Sequence, residues 1–167
     1  MNSSIQQTIA DNPLRPHGRF GRLSYLGWSF MMTLIFLIIA IIPLIFSASL
    51  LDKNTSEGAN TVSMIFILTL SLVALTFYYL SIVFLIRRLH DCNRSAWLAL
   101  LIIVPVINLF FILYLLCAKG TEGPNNFGPV RETKGWEKVL GLISAVLFPL
   151  GMVANILMWM ASMSAPH

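Results

Sequence analysis

Residues 95–118, SAWLALLIIVPVINLFFILYLLCA, run without a charge and carry Pro105 and Asn108 near their middle. As one helix the stretch is long enough to cross a bilayer, which takes about 20 apolar residues, with a kink at the proline. As two pieces it is a re-entrant hairpin. Ser95 to Val104 descends, Pro105 turns the chain, and Val106 to Ala118 returns. Each half then has the roughly 10–14 residues of a segment that dips in without crossing. Backbone groups freed around Pro105 would need partners from other helices or from a polar side chain, and Asn108 is placed for that. Whether the chain has three or four transmembrane segments, and which polar motifs share a side, depends on this stretch.

The flanking charges weigh on the choice. Lys and Arg in short loops gather on the cytoplasmic side. Arg15, Arg19 and Arg22 precede the first apolar run, and Lys53 alone separates the first from the second. Arg87, Arg88 and Arg94 lie between the second and third, and Lys119, Arg131, Lys134 and Lys138 between the third and fourth. Four straight crossings divide these six against five, which orients nothing. A hairpin at 95–118 divides them ten against one and puts the N-terminus in the cytoplasm. A Pro-kinked span remains the simpler architecture, and both readings stand at this point.

The other runs are plainer. Leu26 to Phe46 is uncharged over 21 residues, Thr61 to Ile86 over 26, and Val139 to Met163 carries Pro149 and Gly151. At 1.5 Å per residue the first spans about 30 Å, the hydrocarbon thickness of a bilayer. Ser47-Ala48-Ser49 weakly resembles a cleavage site, but the run before it exceeds the 7–15 residues of a cleavable apolar region, so it reads as an uncleaved anchor. The whole chain of 167 residues is 57% hydrophobic and 11% charged, with a net charge of +4. A soluble domain carries about 25% charged residues. The fold class is therefore an all-α integral membrane bundle, multi-pass, and the positive charge marks a membrane surface with no indication of nucleic acid. Residues 1–17 read as a flexible cytoplasmic tail, Leu51 to Gly58 as a short connector, and Gly120 to Pro129, rich in Gly, Pro and Asn, as a tightly turned loop.

None of the four runs contains Asp, Glu, Lys, Arg or His. An ion-coupled transporter needs an ionisable group at membrane depth, so proton-driven export is disfavoured. The densest polar cluster runs from Arg87 to Arg94. If the helix continues through it, Arg87, His90, Asp91 and Arg94 share one face. Asp91 can then pair with Arg87 or Arg94 and leave a guanidinium for a lipid phosphate. With Arg19 and Arg22 this makes a headgroup site, although the same residues also serve as ordinary topology anchors. Neither the cluster nor the two cysteines, Cys92 and Cys117, has the spacing of metal ligands or a redox pair. Cys92, in a basic loop assigned to the cytoplasm, should stay reduced. No catalytic motif is present, and no cofactor or metal is expected. Tyr78, Tyr79, Trp97, Asn108 and Tyr114 are candidates for an amphiphile pocket, against the alternative of an interfacial aromatic belt. Gly141 and Ala145 allow another helix to approach closely.

Four motifs, in order, resemble the bacterial "domain of unknown function 805" inner-membrane family. They are Gly18-Arg19-Phe20-Gly21-Arg22-Leu23-Ser24-Tyr25, Arg87-Arg88-Leu89-His90-Asp91 followed by Ser95-Ala96-Trp97, Pro105-Val106-Ile107-Asn108, and Gly120 through Pro129. Leu26 stands where the family usually has Trp, and Ala96-Trp97-Leu98 replaces Gly-Trp-Trp. The resemblance covers about 18–130, a family-like membrane domain, and leaves 131–167 as an appended transmembrane helix. It implies a small bacterial inner-membrane protein with no established activity.

Under the hairpin reading, Glu122 can pair with Arg19, Arg22, Arg87 or Arg88, and Asn125 joins them in one cytoplasmic polar cap. The function expected first is non-enzymatic: a cap of Arg19, Arg22, Arg87, Arg88, His90, Asp91, Arg94, Glu122 and Asn125 that binds anionic membrane lipids or a partner protein and influences envelope properties. A homo-oligomer is also open. The second expectation is a binder or transporter of amphipathic small molecules. The third is an enzyme acting on lipid phosphates through Arg87, His90 and Asp91.

Overall fold

The computed structural model describes residues 12–51 and 56–164. Its order is α1 (Arg22–Leu51), α2 (Ser56–Asp91), a 3-10 helix (Ala96–Ile103), α3 (Pro105–Cys117) and α4 (Gly135–Ser164). Three stretches, Arg22–Ile42, Met64–Asp91 and Gly135–Met163, are long and apolar enough to cross a membrane. They cover most of the first and second runs and all of the fourth, and among the described residues no β-strand forms. The connector expected at 51–58 lies partly outside the described residues, and α2 has begun by Ser56.

The third run is a hairpin. A residue that precedes proline is pushed out of the helical region, and Val104 is extended at φ −90° and ψ 110°. Proline is well tolerated at the first helical position, where its missing N–H is not needed, so α3 restarts at Pro105 itself. The arm before the break is a 3-10 helix of 8 residues, long for that conformation. Two backbone hydrogen bonds close the turn. Val104 N–H donates to Leu101 O at 3.3 Å and Asn108 N–H to Val104 O at 2.7 Å. The side chain of Asn108 does not do the work expected of it, because its buried Oδ1 accepts no hydrogen bond.

Both arms pack on the end of α2. Leu85 and Leu89 bury against Phe111 and Leu115, with Ala99, Leu101 and Ile102 from the 3-10 arm alongside. A second cluster joins α1 to α2 through Phe20, Val83 and Phe84, with Tyr25, Trp28, Met32 and Leu80 around it. Further along, Phe36 of α1 meets Phe77 of α2 with centroids 4.9 Å apart.

The start of α4 lies against the start of α1 at unusually short range. A Cβ on Gly27 would stand 2.6 Å from Glu137 O, and one on Gly141 2.5 Å from Leu23 O. Gly141 thus admits the close neighbour its sequence position suggested, and that neighbour is α1 of the same chain. The helix continues through Pro149.

Candidate functional site: a polar cap at one end of the bundle

The helix α2 stops at Asp91, and the stop decides where its polar residues go. Asn93 takes a left-handed conformation at φ 53°. Its N–H donates to His90 O at 3.0 Å, and Arg94 N–H donates to Leu89 O at 2.9 Å. This is the paired closure of a Schellman end. Arg94 therefore lies beyond the helix and exposed, off the shared face expected for Arg87, His90, Asp91 and Arg94.

Asp91 pairs with Arg19 and Arg88, and neither Arg87 nor Arg94 takes the role given to them. Arg19 donates to Asp91 Oδ1 from Nε at 3.2 Å and from Nη2 at 3.1 Å. Arg88 Nη1 donates to Oδ2 at 2.5 Å, the i, i+3 reach of neighbouring helical turns. The guanidinium groups also bond to backbone carbonyls, and Arg19 Nη2 to Thr121 Oγ1 at 3.3 Å. Arg19 Nη1 reaches Gly123 O at 2.7 Å and Gly128 O at 3.2 Å, and Nη2 reaches Thr121 O at 2.6 Å. Arg88 binds Leu115 O at 2.9 Å and Ala118 O at 2.5 Å, closing the carbonyl end of α3. Arg19, Arg87 and Arg88 are each 1% exposed or less. A buried cation survives only when paired and hydrogen-bonded, and these contacts meet that requirement for Arg19 and Arg88.

The loop after α3 is stitched to the end of α2. Thr121 N–H and Thr121 Oγ1 both donate to Asp91 O, at 2.8 Å and 2.6 Å. Asn125 Nδ2 donates to His90 O at 2.8 Å and to Thr121 Oγ1 at 2.8 Å. Asn125 and Gly128 pair back to back, with Gly123 at φ 84° and Gly128 at φ 120°, so the loop is tightly turned as its composition predicted. Gly120 lies so close to Asp91 that a Cβ there would overlap the carboxylate. These bonds fix the entry and exit of the hairpin at the same end of α2, which settles the choice left open above in favour of a returning segment. They bring Arg19, Arg88, His90, Asp91 and Asn125 into one cluster.

Glu122 departs from expectation. Its partner is Lys119, at the surface, with both side chains largely exposed, and it reaches none of the arginines proposed for it. His90 stacks on Phe127 at 3.9 Å with planes 6° apart, and its buried Nδ1 has no hydrogen-bond partner. Arg87 turns the other way. It donates to Asn12 O at 2.8 Å and Arg15 O at 3.3 Å and lies 4.2 Å over the Phe20 ring, so the tail is tied down from Asn12 onward. Tyr78, Tyr79, Trp97 and Tyr114 are exposed. Cys92 is half-buried and Cys117 exposed. Burial pushes the Cys92 thiol above its ordinary range, with Arg88 pulling it down more weakly.

A second network was not foreseen. Glu137, fully buried at the start of α4, accepts a fork from Arg131, with Nη2 to Oε1 at 2.6 Å and Nη1 to Oε2 at 2.8 Å. Ser24 Oγ and Trp28 Nε1 of α1 donate to the same carboxylate, each at 2.8 Å. Arg131 also lies 5.0 Å over Phe20, so two guanidinium groups, from Arg87 and Arg131, contact one ring. The only sequence signal for this network is an acid in the first turn of an otherwise apolar helix, with an arginine six residues before it.

Residues 13–129 match the family described as "Protein of unknown function (DUF805)". The inner membrane protein YhaI of Escherichia coli (strain K12) is 41% identical over 81 residues, 45% of this chain and 69% of that protein. The inner membrane protein YhaH of the same strain is 54% identical over 43 residues, 26% of this chain and 36% of that protein. The match therefore spans only about a third of YhaH. No solved structure matches the chain.

Proposed function

The chain belongs to the DUF805 family, whose description assigns no activity, and from the geometry of the cap we propose that it is a non-enzymatic inner-membrane protein whose cap rim binds anionic lipid headgroups. The relatives named above are inner membrane proteins, which supports the location. The observation that carries the proposal is a division of labour among the basic residues. Arg19, Arg87 and Arg88 are buried in the fold. Arg15, Arg22, Arg94, Lys134 and Lys138 are exposed around the same end, and Arg22 and Arg94 carry no ion pair among the described residues. The internal arginines hold the shape, and the outer ones face the headgroups.

A basic residue near an anionic leaflet contributes about 1 kcal/mol, and a guanidinium fits a phosphate with two parallel bonds. With the third run returning, ten of the eleven Lys and Arg share one side, so this end is cytoplasmic under the positive-inside rule. An influence on envelope properties follows from gathering anionic lipid around the protein. The exposed positions of Tyr78, Tyr79, Trp97 and Tyr114 weigh against an enclosed amphiphile pocket.

Native mass spectrometry of the full chain released from phosphatidylglycerol-containing bilayers tests this. Retained phosphatidylglycerol is expected for the wild type and should fall in Arg22→Gln/Arg94→Gln/Lys138→Gln, with phosphatidylcholine unaffected. Equal retention of both lipids by both proteins would overturn the proposal.

A further inference from the structure

The hairpin has a length that the rest of the bundle lacks. The helix α3 has 13 residues, about 20 Å at 1.5 Å per residue. The 3-10 arm has 8 residues, about 16 Å at 2.0 Å per residue. One leaflet of hydrocarbon is about 15 Å deep, half of the roughly 30 Å core. The open end of the hairpin is pinned at the cap by Thr121 on Asp91 O and by Arg88 on Leu115 O and Ala118 O. Its closed end at Val104-Pro105 therefore stops near the bilayer midplane. The candidate span of α2 has 28 residues, about 42 Å, and continues through the other leaflet. One face of the hairpin is buried on Leu85 and Leu89. The other presents Trp97, Leu100, Ile103, Val106 and Phe110, each more than half exposed, an apolar surface that faces the acyl chains of that leaflet.

We propose that the protein is a one-leaflet wedge. In the leaflet next to the cap its cross-section holds α1, α2, α4 and both arms of the hairpin, and in the opposite leaflet the two arms are missing. A body broader in one leaflet fits a bilayer in which that leaflet is expanded, so the partner of this surface is a curved membrane with the cap on its convex side. The wedge depends on the shape of the bundle and not on charge, so it stands apart from the headgroup proposal.

The test uses the full chain with Cys92→Ser, reconstituted in giant vesicles of phosphatidylcholine alone. An impermeant dye on exposed Cys117 marks the molecules whose cap faces outward. A narrow tube is then drawn from the vesicle. Outward-facing molecules are expected to be enriched in the tube relative to a lipid dye, increasingly so as the tube narrows. Inward-facing molecules, labelled before reconstitution and followed after quenching the outer dye, are expected to be depleted. Trp97→Ala/Leu100→Ala/Phe110→Ala, checked by its elution in detergent, should lessen both effects. If that variant fails to fold, the opposite behaviour of the two wild-type orientations remains decisive. Uniform distribution at every radius, or the same sorting for both orientations, would overturn the wedge. Sorting that appears only when phosphatidylglycerol is added would overturn it in favour of headgroup attraction.

Discussion

Asp91 and Glu137 are the two buried carboxylates among the described residues, and they are held in different ways. Around Asp91 the arginines divide their hydrogens between the carboxylate and the carbonyls of Leu115, Ala118, Thr121, Gly123 and Gly128. Around Glu137 nearly every contact is with a side chain, from Arg131, Ser24 and Trp28. The first network therefore reads the path of the backbone and the second reads residue identity. A hairpin that must return to its starting point needs the former. A helix laid against α1 needs only the latter, helped by Gly27 and Gly141.

The sharpest way to break this contrast is at Asp91. Losing one partner of a buried ion pair costs about 3–5 kcal/mol because the other charge stays buried. Asp91→Ala leaves two such cations, so its thermal unfolding in detergent should show the largest loss of any single substitution in the cap, with the hairpin loosened. Glu137→Gln keeps a hydrogen-bonding side chain against Ser24 and Trp28 and should lose about 1.5–3 kcal/mol, the range for a bond to a charged group. Its effect should fall on α4 and leave the hairpin in place. Equal losses, or loosening of the hairpin by both, would erase the distinction. Gly141→Ala forces an overlap with Leu23 O and should cost about 1–3 kcal/mol, the usual range for overpacking, again on the α4 side.

The smallest effect is expected at Glu122. Exposed ion pairs contribute about 0–1 kcal/mol, so Glu122→Ala should leave the melting temperature within experimental scatter. A large drop would put Glu122 in the cap after all. Thiol labelling checks the shared end independently. Cys92 and Cys117 should react from one side of the membrane. Thiolate is the reactive form, and burial holds the Cys92 thiol above its ordinary range. Cys92 should therefore react slowly near neutral pH and faster as the pH rises. Reaction from opposite sides would mean that 95–118 crosses.

The parts of this arrangement that were legible in the sequence are those with a local or statistical cause. Pro105 disfavours a helical Val104, the two halves of 95–118 are too short to cross, and the basic residues sort ten against one only if the segment returns. Arg88 and Asp91 sit one helical turn apart, so their pairing too lay within reach. Glu122 misled because proximity in a polar loop says nothing about which way a side chain points, and the loop uses its backbone for the cap. The Glu137 network was missed because its parts, at 24, 28, 131 and 137, come together only through the packing of α4 on α1. Arg94 misled because a helix end set by one left-handed residue, Asn93, carries no periodic signal.

The contacts of Arg19 also set an order of events at the ribosome. Its partners lie 72 residues downstream at Asp91, 102 at Thr121, 104 at Gly123 and 109 at Gly128. At about 5–20 residues per second, the guanidinium is made roughly 4–14 s before Asp91 and waits still longer for the loop carbonyls. Through that interval α1 and α2 can enter the bilayer while the future centre of the cap is still hydrated. The hairpin is locked only when the loop that follows it emerges, so Arg19, made early, acquires its last partners late.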